Sequence, residues 1–175
     1  MIPIAAPPVT STTKHTAGSC LCGRVRYILE GTPLSIRVCH CVNCKKATGS
    51  AFMVNSFWQK DSFRVAQGAQ ELKKYADADT ASGVPINRFF CGTCGSNVYV
   101  SSTRAKSPWV IVGLGTFDVD WKHLASRGRT TNDLDAGCTW VPNTEMFPEQ
   151  RNHWIKGIET RSAHGAVKHR VVAKL

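Results

Sequence analysis

Seven of the eight cysteines stand in three tight groups: Cys20 with Cys22, then Cys39, Cys41 and Cys44, then Cys91 with Cys94. Thiolates at such spacings are metal ligands of the kind zinc prefers. Zinc separates two uses by ligand number, since four protein ligands close a structural site and three leave a position open for chemistry. The outer pairs together supply four sulfurs and the middle group three. This division predicts two ions per chain, a structural one at Cys20, Cys22, Cys91 and Cys94 and a reactive one at Cys39, Cys41 and Cys44.

Gly23 and Gly95 directly follow Cys22 and Cys94, where a tight turn can aim paired sulfurs at one ion and bring backbone N–H groups to the thiolates. At the middle group, three thiolates around a divalent ion carry a net charge near −1. That keeps a bound sulfur electron-rich while stabilising its deprotonated form, so an incoming thiol suits the open position better than a phosphate. Three other readings stand beside this one. Disulfides would place the chain in an oxidising compartment, although Cys-x-Cys spacing is too short for easy internal bridging. His40 or the isolated Cys138 would close the middle site as a fourth ligand, Cys138 being otherwise a buried thiol. An iron–sulfur cluster is chemically open, but the spacings differ from the common ferredoxin runs.

The formal charge of +10 over 175 residues invites a polyanionic partner. Seven ligating thiolates and two zinc ions would bring it to about +7. The excess is uneven: residues 151–175 carry six Lys/Arg against one Asp/Glu, including Arg161, Lys168, Arg170 and Lys174. The chain lacks a long basic helix, paired-histidine finger spacing or interleaved Arg and aromatics. A noncatalytic zinc module binding nucleic acid or protein is therefore the alternative to an enzyme. No basic start followed by an apolar stretch opens the chain, and no run has the apolar length to cross a bilayer. A cytoplasmic protein without membrane contact, monomeric or homodimeric, is the expectation.

Short strands must position these groups. Val25, Tyr27 and Leu29 alternate with polar neighbours, and Leu34, Ile36 and Val38 alternate with Ser35 and Arg37 to deliver the chain to Cys39. Further strands are predicted at 51–58, 63–67, 71–75, 87–90, 97–100, 109–114 and 117–121. Residues 41–48 make a turn or short helix ended by Gly49, and 134–136 and 145–151 make local turns. Residues 1–17 read as a flexible lead, 18–157 as the zinc domain and 158–175 as a basic tail. Many short strands separated by Gly, Pro and Asp favour a mainly β domain over repeated βαβ units.

The segments Gly18-Ser19-Cys20-Leu21-Cys22-Gly23-Arg24, Cys39-His40-Cys41-Val42-Asn43-Cys44-Lys45-Lys46 and Phe89-Phe90-Cys91-Gly92-Thr93-Cys94-Gly95 together resemble, in order and spacing, the glutathione-dependent formaldehyde-activating enzyme (GFA) family, also called the centromere-protein-V domain family. The resemblance implies a Mss4-like zinc-containing fold of short antiparallel sheets, with a structural zinc at Cys20, Cys22, Cys91 and Cys94 and a catalytic zinc at Cys39, Cys41 and Cys44. It implies a carbon–sulfur lyase that forms or cleaves S-hydroxymethylglutathione or a related glutathione–aldehyde adduct. Lys45, Lys46 and Arg37 are candidates to pair with the carboxylates of glutathione. Phe52, Trp58, Trp109 and Trp154 are candidates to wall the site. Glu145 stands where many members carry histidine, and is a candidate substrate contact.

Overall fold

The computed structural model describes residues 15–104, 106–118 and 140–157. Ten strands run in chain order: β1 (His15–Ser19), β2 (Arg26–Glu30), β3 (Ser35–Cys39), β4 (Met53–Gln59), β5 (Phe63–Gln67), β6 (Leu72–Asp77), β7 (Ile86–Cys91), β8 (Asn97–Ser102), β9 (Trp109–Gly113) and β10 (Thr144–Met146), with one helix, α1 (Val42–Thr48), between β3 and β4. They form a three-stranded sheet, β1-β2-β5, and a seven-stranded sheet, β10-β3-β4-β9-β8-β7-β6. The architecture is mainly β, as the alternation requires. The predicted strand at 63–67 matches β5 at both ends, and seven others match to within a few residues. Of 117–121 only Phe117 and Asp118 are described, and Phe117 bridges to Gly18 in antiparallel sense. The predicted turn at 134–136, the tail from 158 onward and Cys138 lie outside the described residues.

Three expectations need correction. His15, Thr16 and Ala17 of the supposed lead belong to β1, which pairs with β2 along its whole length. Thr16 is buried there, so a polar-looking stretch conceals an inward face. Within 145–151 a strand precedes the turn. That strand, β10, runs parallel to β3 with Glu145 opposite Val38, so the sheets are not purely antiparallel. A parallel partner needs a long connection, and here α1 and β4 to β9 lie between the two strands in the chain.

The two faces of the large sheet have separate jobs. Trp58, Val110 and Val112 pack against Val25, Tyr27 and Leu29, closing the core over the small sheet. Trp58, fully buried, donates its indole N–H to Ser56 Oγ at 3.0 Å, and Ser56 in turn donates to the Val112 carbonyl at 2.8 Å, so both of these buried polar groups are satisfied. Side chains alternate across a strand, so the other face carries Arg37, Asn55, Phe57, Ile111, Val100 and Arg88, in cross-strand registers that run from β3 to β7. That second face floors a cavity. Among the described residues no helix is long and apolar enough to cross a membrane.

Candidate metal centres and the cavity

The outer cysteines meet where the two sheets meet. Cys20 leaves β1 and Cys22 precedes β2, while Cys91 ends β7 and Cys94 precedes β8. Each pair sits on a tight turn closed by a glycine at φ +74°, with Gly23 N–H donating to Cys20 O and Gly95 N–H to Cys91 O, both at 2.9 Å. This left-handed conformation favours glycine. Leu21 N–H donates to Ser96 Oγ at 3.0 Å, tying one turn to the other. Val25 N–H points at Cys20 Sγ at 3.3 Å, a backbone donor of the kind that stabilises a ligating thiolate.

The middle group is buried. Cys39 ends β3, Cys41 caps the start of α1, and Cys44 lies in its first turn. Cys44 N–H donates to Cys41 Sγ at 3.4 Å, and Gly49 caps the other end by donating to Lys45 O. The three cysteines are 2–8% exposed, with Met53, Met146 and Phe147 packed around them. Phe147 follows β10 at φ 55°, a strained conformation for a side chain of its size. It is spent on bringing that ring over the cluster.

Both groups fit a metal ion. Within each, every pair of Sγ atoms lies within 4.8 Å, and the closest contacts are 3.5 Å for Cys20–Cys22, 3.8 Å for Cys22–Cys91 and 3.4 Å for Cys39–Cys41. A tetrahedral ion with metal–sulfur bonds of about 2.3 Å asks for sulfurs roughly 3.8 Å apart. These separations suit ligands of one ion, and the described cysteines are free thiols rather than disulfides.

Proton distribution separates the members of the middle group. The Cys39 thiol, donating to Cys41 and then burdened by Cys44 and burial, has its pKa pushed far up, while the same contact and that from Cys44 hold Cys41 far below the ordinary thiol range. Contact with Cys39 pulls Cys44 down, but Cys41 and burial prevail and raise it to about 11. These opposed shifts favour the thiolate at Cys41 and the thiol at Cys39 and Cys44.

His40, between two of these cysteines, is fully buried and turned away from them. Its Nε2 meets Glu145 Oε1 at 2.8 Å, its ring packs edge-on against Phe52, and Glu145 also accepts two bonds from Arg151 at 2.8 and 3.0 Å. Among the described residues the His40 Nδ1 atom has no partner. The rival reading of His40 as a fourth ligand is therefore corrected: its reachable nitrogen is bound to a carboxylate, and no fourth His, Cys, Asp or Glu joins the three cysteines among the described residues.

A cavity of about 510 Å³ opens from Cys39, Cys41 and Cys44. Its floor is Arg37, Asn55, Phe57, Ile111, Val100 and Arg88; Met146 and Phe147 face it; exposed Arg104, Lys106 and Trp109 border it. Four cations and no carboxylate line it among the described residues. Of the expected substrate contacts, Arg37 and Trp109 thus stand with the cysteines, Arg37 also lying over the Phe57 ring at 4.1 Å. Lys45, Lys46 and Glu145 do not line it. Lys45 donates to the Gln150 carbonyl at 3.0 Å, Lys46 is exposed, and Glu145 is engaged with His40 and Arg151 behind the cluster. Of the other aromatic candidates, Trp58 is core, Trp154 is 66% exposed and Phe52 packs on His40.

The sequence reading missed Arg88, Asp77 and Asn43. Arg88 Nε donates to Asp77 Oδ2 at 2.8 Å, and Asn43 Nδ2 donates to Asp77 Oδ1 at 2.8 Å and to Asp79 O at 2.7 Å. Burial works against the Arg88 charge, but Asp77 and Cys44 outweigh it and raise its pKa. A signal was present: Arg88 shares a strand face with apolar Ile86, where a charge requires a buried partner.

These features define a mainly β domain with two cysteine centres, one of them opening on a cationic cavity. Residues 15–130 match the glutathione-dependent formaldehyde-activating enzyme family, and the chain belongs to it. It is 35% identical over 96 residues to an uncharacterised lyase of Schizosaccharomyces pombe, covering 54% of this chain and 63% of that protein. A Halomonas elongata protein assigned by name to the same enzymes is 32% identical over 89 residues, covering 50% and 56%. The chain thus spans about three fifths of the length of these curated relatives. A Rhodobacter sphaeroides protein of known crystal structure superposes with a TM-score of 0.47 at 24% identity, covering 62% of this chain and 94% of that one.

Proposed function

We propose that the protein makes and breaks the carbon–sulfur bond of a glutathione–aldehyde adduct such as S-hydroxymethylglutathione, as a cytoplasmic carbon–sulfur lyase of Mss4-like fold with one structural and one catalytic zinc. Family membership supports the glutathione-linked chemistry. One observation carries the rest: three buried cysteines converge at the end of a cavity, with no fourth ligand among the described residues.

Cys39, Cys41 and Cys44 would hold the catalytic ion, and Cys20, Cys22, Cys91 and Cys94 the structural one. Zinc at the first site supplies a positive centre that favours the deprotonated form of an incoming sulfur. The chain's own residues do the remainder. Arg37, Arg104 and Lys106 give the cavity a field suited to the two carboxylates of glutathione. Phe57, Ile111 and Trp109 supply apolar wall that limits water around the reacting carbon. Holding thiol and aldehyde together in this space turns a bimolecular encounter into a local one.

The test is Cys41→Ser, read by metal content and by exchange NMR of the glutathione–formaldehyde reaction above its spontaneous rate. Zinc is expected to fall from two ions to one per chain, with the catalysed rate lost and the outer site intact. Two ions retained with unchanged turnover would refute the assignment.

A further inference from the structure

Arg88 is 7% exposed and lines the cavity together with Cys44. Asp77, 4% exposed, holds the Nε edge of the guanidinium. Asp77 is itself fixed from the other side by Asn43, which lies on α1 between Cys41 and Cys44. One carboxylate therefore aligns the helix carrying two of the cysteines with the cation beside them. Guanidinium is a planar fork of several donors, and Asp77 occupies one edge only. The other edge is left for the cavity that Arg88 lines.

Position decides what this cation can bind. A substrate sulfur at the open side of the three cysteines becomes a close neighbour of Cys44, hence of Arg88. In a thiol–aldehyde adduct the aldehyde oxygen is two bonds from that sulfur, whereas both carboxylates of glutathione lie many bonds away. Exposed Arg104 and Lys106 border the cavity farther along the chain, on the segment before β9, and offer the carboxylates their own partners.

We propose that Arg88 is a catalytic residue that hydrogen-bonds the aldehyde oxygen as negative charge develops there, and that Asp77 is the positioning residue that aims it. This rests on the carbon–sulfur lyase reading above. In the forward direction the thiolate sulfur attacks the carbonyl carbon, a C–S bond forms, and the carbonyl π pair moves onto oxygen. Arg88 stabilises that oxyanion without surrendering its own proton, and water supplies the proton that makes the hydroxyl. In reverse the hydroxyl proton returns to water, the C=O bond re-forms, and the C–S electron pair leaves on sulfur. A donor fixed before the reaction costs no reorganisation when charge appears.

The experiment compares Arg88→Met, Arg88→Lys and Asp77→Asn with the unsubstituted protein, using glutathione and formaldehyde as probes. It reads zinc content, glutathione affinity from the absorption of the cobalt-substituted form, and kcat and KM by exchange NMR. Arg88→Met is expected to keep both metals, to bind glutathione within a few-fold, and to lose roughly 100- to 1,000-fold in kcat, with partial recovery on adding guanidinium salts. Arg88→Lys and Asp77→Asn are expected to fall between, again in kcat, and they carry the test should Arg88→Met fail to fold. A raised KM at unchanged kcat would make Arg88 a carboxylate anchor and overturn the proposal. So would loss of the central metal in all three variants, which would make its role structural. If the unsubstituted protein, with both sites filled, neither binds glutathione nor exceeds the spontaneous rate, the lyase reading falls as well; normal turnover in Arg88→Met removes this inference alone.

Discussion

Glu145→Ala isolates the buried network behind the cysteines. Glu145 accepts from His40, which is wholly buried, and from Arg151, whose side chain is 29% exposed. Truncation strands His40 Nε2 without an acceptor in a pocket where its Nδ1 has no partner among the described residues. An orphaned buried donor costs about 1–3 kcal/mol. The partly solvated Arg151 pair adds about 0.5–1 kcal/mol after screening, so the expected loss is about 1.5–4 kcal/mol, a large share of a typical folding stability of roughly 5–15 kcal/mol. Glu145→Gln keeps an amide oxygen for His40 and is expected to lose about 1 kcal/mol. The assay is urea unfolding at fixed free zinc, because metal binding contributes to the apparent stability, with an unchanged denaturant slope confirming that the midpoint reports stability. Since Glu145 does not line the cavity, KM for glutathione is expected to hold in both variants. An alanine variant within about 0.5 kcal/mol of the unsubstituted protein, the ordinary range for surface changes, would refute the account of this network.

Two further outcomes follow from the cysteine centres. Cys39 and Cys44 hold their protons at neutral pH while Cys41 does not, so filling the central site is expected to release two protons per ion, measured by calorimetry in buffers of different ionisation enthalpy. Because these pKa values are raised, acid opposes uptake: affinity at this site is expected to rise about a hundredfold per pH unit through neutrality, and more gently, about tenfold per unit, once pH passes the Cys44 value of about 11 and only Cys39 still has a proton to lose. Release of no protons would contradict the assigned distribution. Separately, Gly95→Ala places a Cβ where nothing lies within 4 Å but φ is +74°, so the cost is conformational, about 1–2 kcal/mol. It is read as a lower unfolding midpoint with zinc retained, and a loss well beyond that range would mean the turn is constrained by more than its backbone angle.

The strands were legible because most have one inward face and short, well-marked ends: Tyr27 and Leu29 are buried between exposed or half-buried neighbours, as the alternation of β2 states outright. The cysteine clusters were legible because sulfurs two or three residues apart on a turn can scarcely avoid one another. Side-chain aim was not. Lys45 and Lys46 follow Cys44 in sequence, yet α1 turns them away from the cavity, and only the helix phase decides that. Arg88 and Asp77 were hidden for the opposite reason, being eleven residues apart on adjacent strands and joined only by the β6–β7 register. Glu145 was expected to contact substrate, whereas its neighbours are His40 and Arg151. Its strand pairs parallel to β3, a long-range choice that no local pattern encodes.

The two cysteine centres share ligand atoms and differ in surroundings, and that difference separates their roles. Cys20, Cys22, Cys91 and Cys94 lie on paired turns from different sheets, so drawing them together fixes one sheet against the other, across a gap of 69 residues between Cys22 and Cys91. An ion there would strengthen the fold by closing a long loop. Cys39, Cys41 and Cys44 belong to one strand–helix junction and close no such loop. Their folding contribution is local, yet the chain surrounds them with a buried ion pair, Arg88–Asp77, and a buried carboxylate, Glu145, held by His40 and Arg151, whose desolvation is costly. Buried charge around a centre that fold closure does not require is hard to explain by stability, and is what a site needs when it must present one open face, one fixed cation and one orientation of its ligands to a reacting molecule.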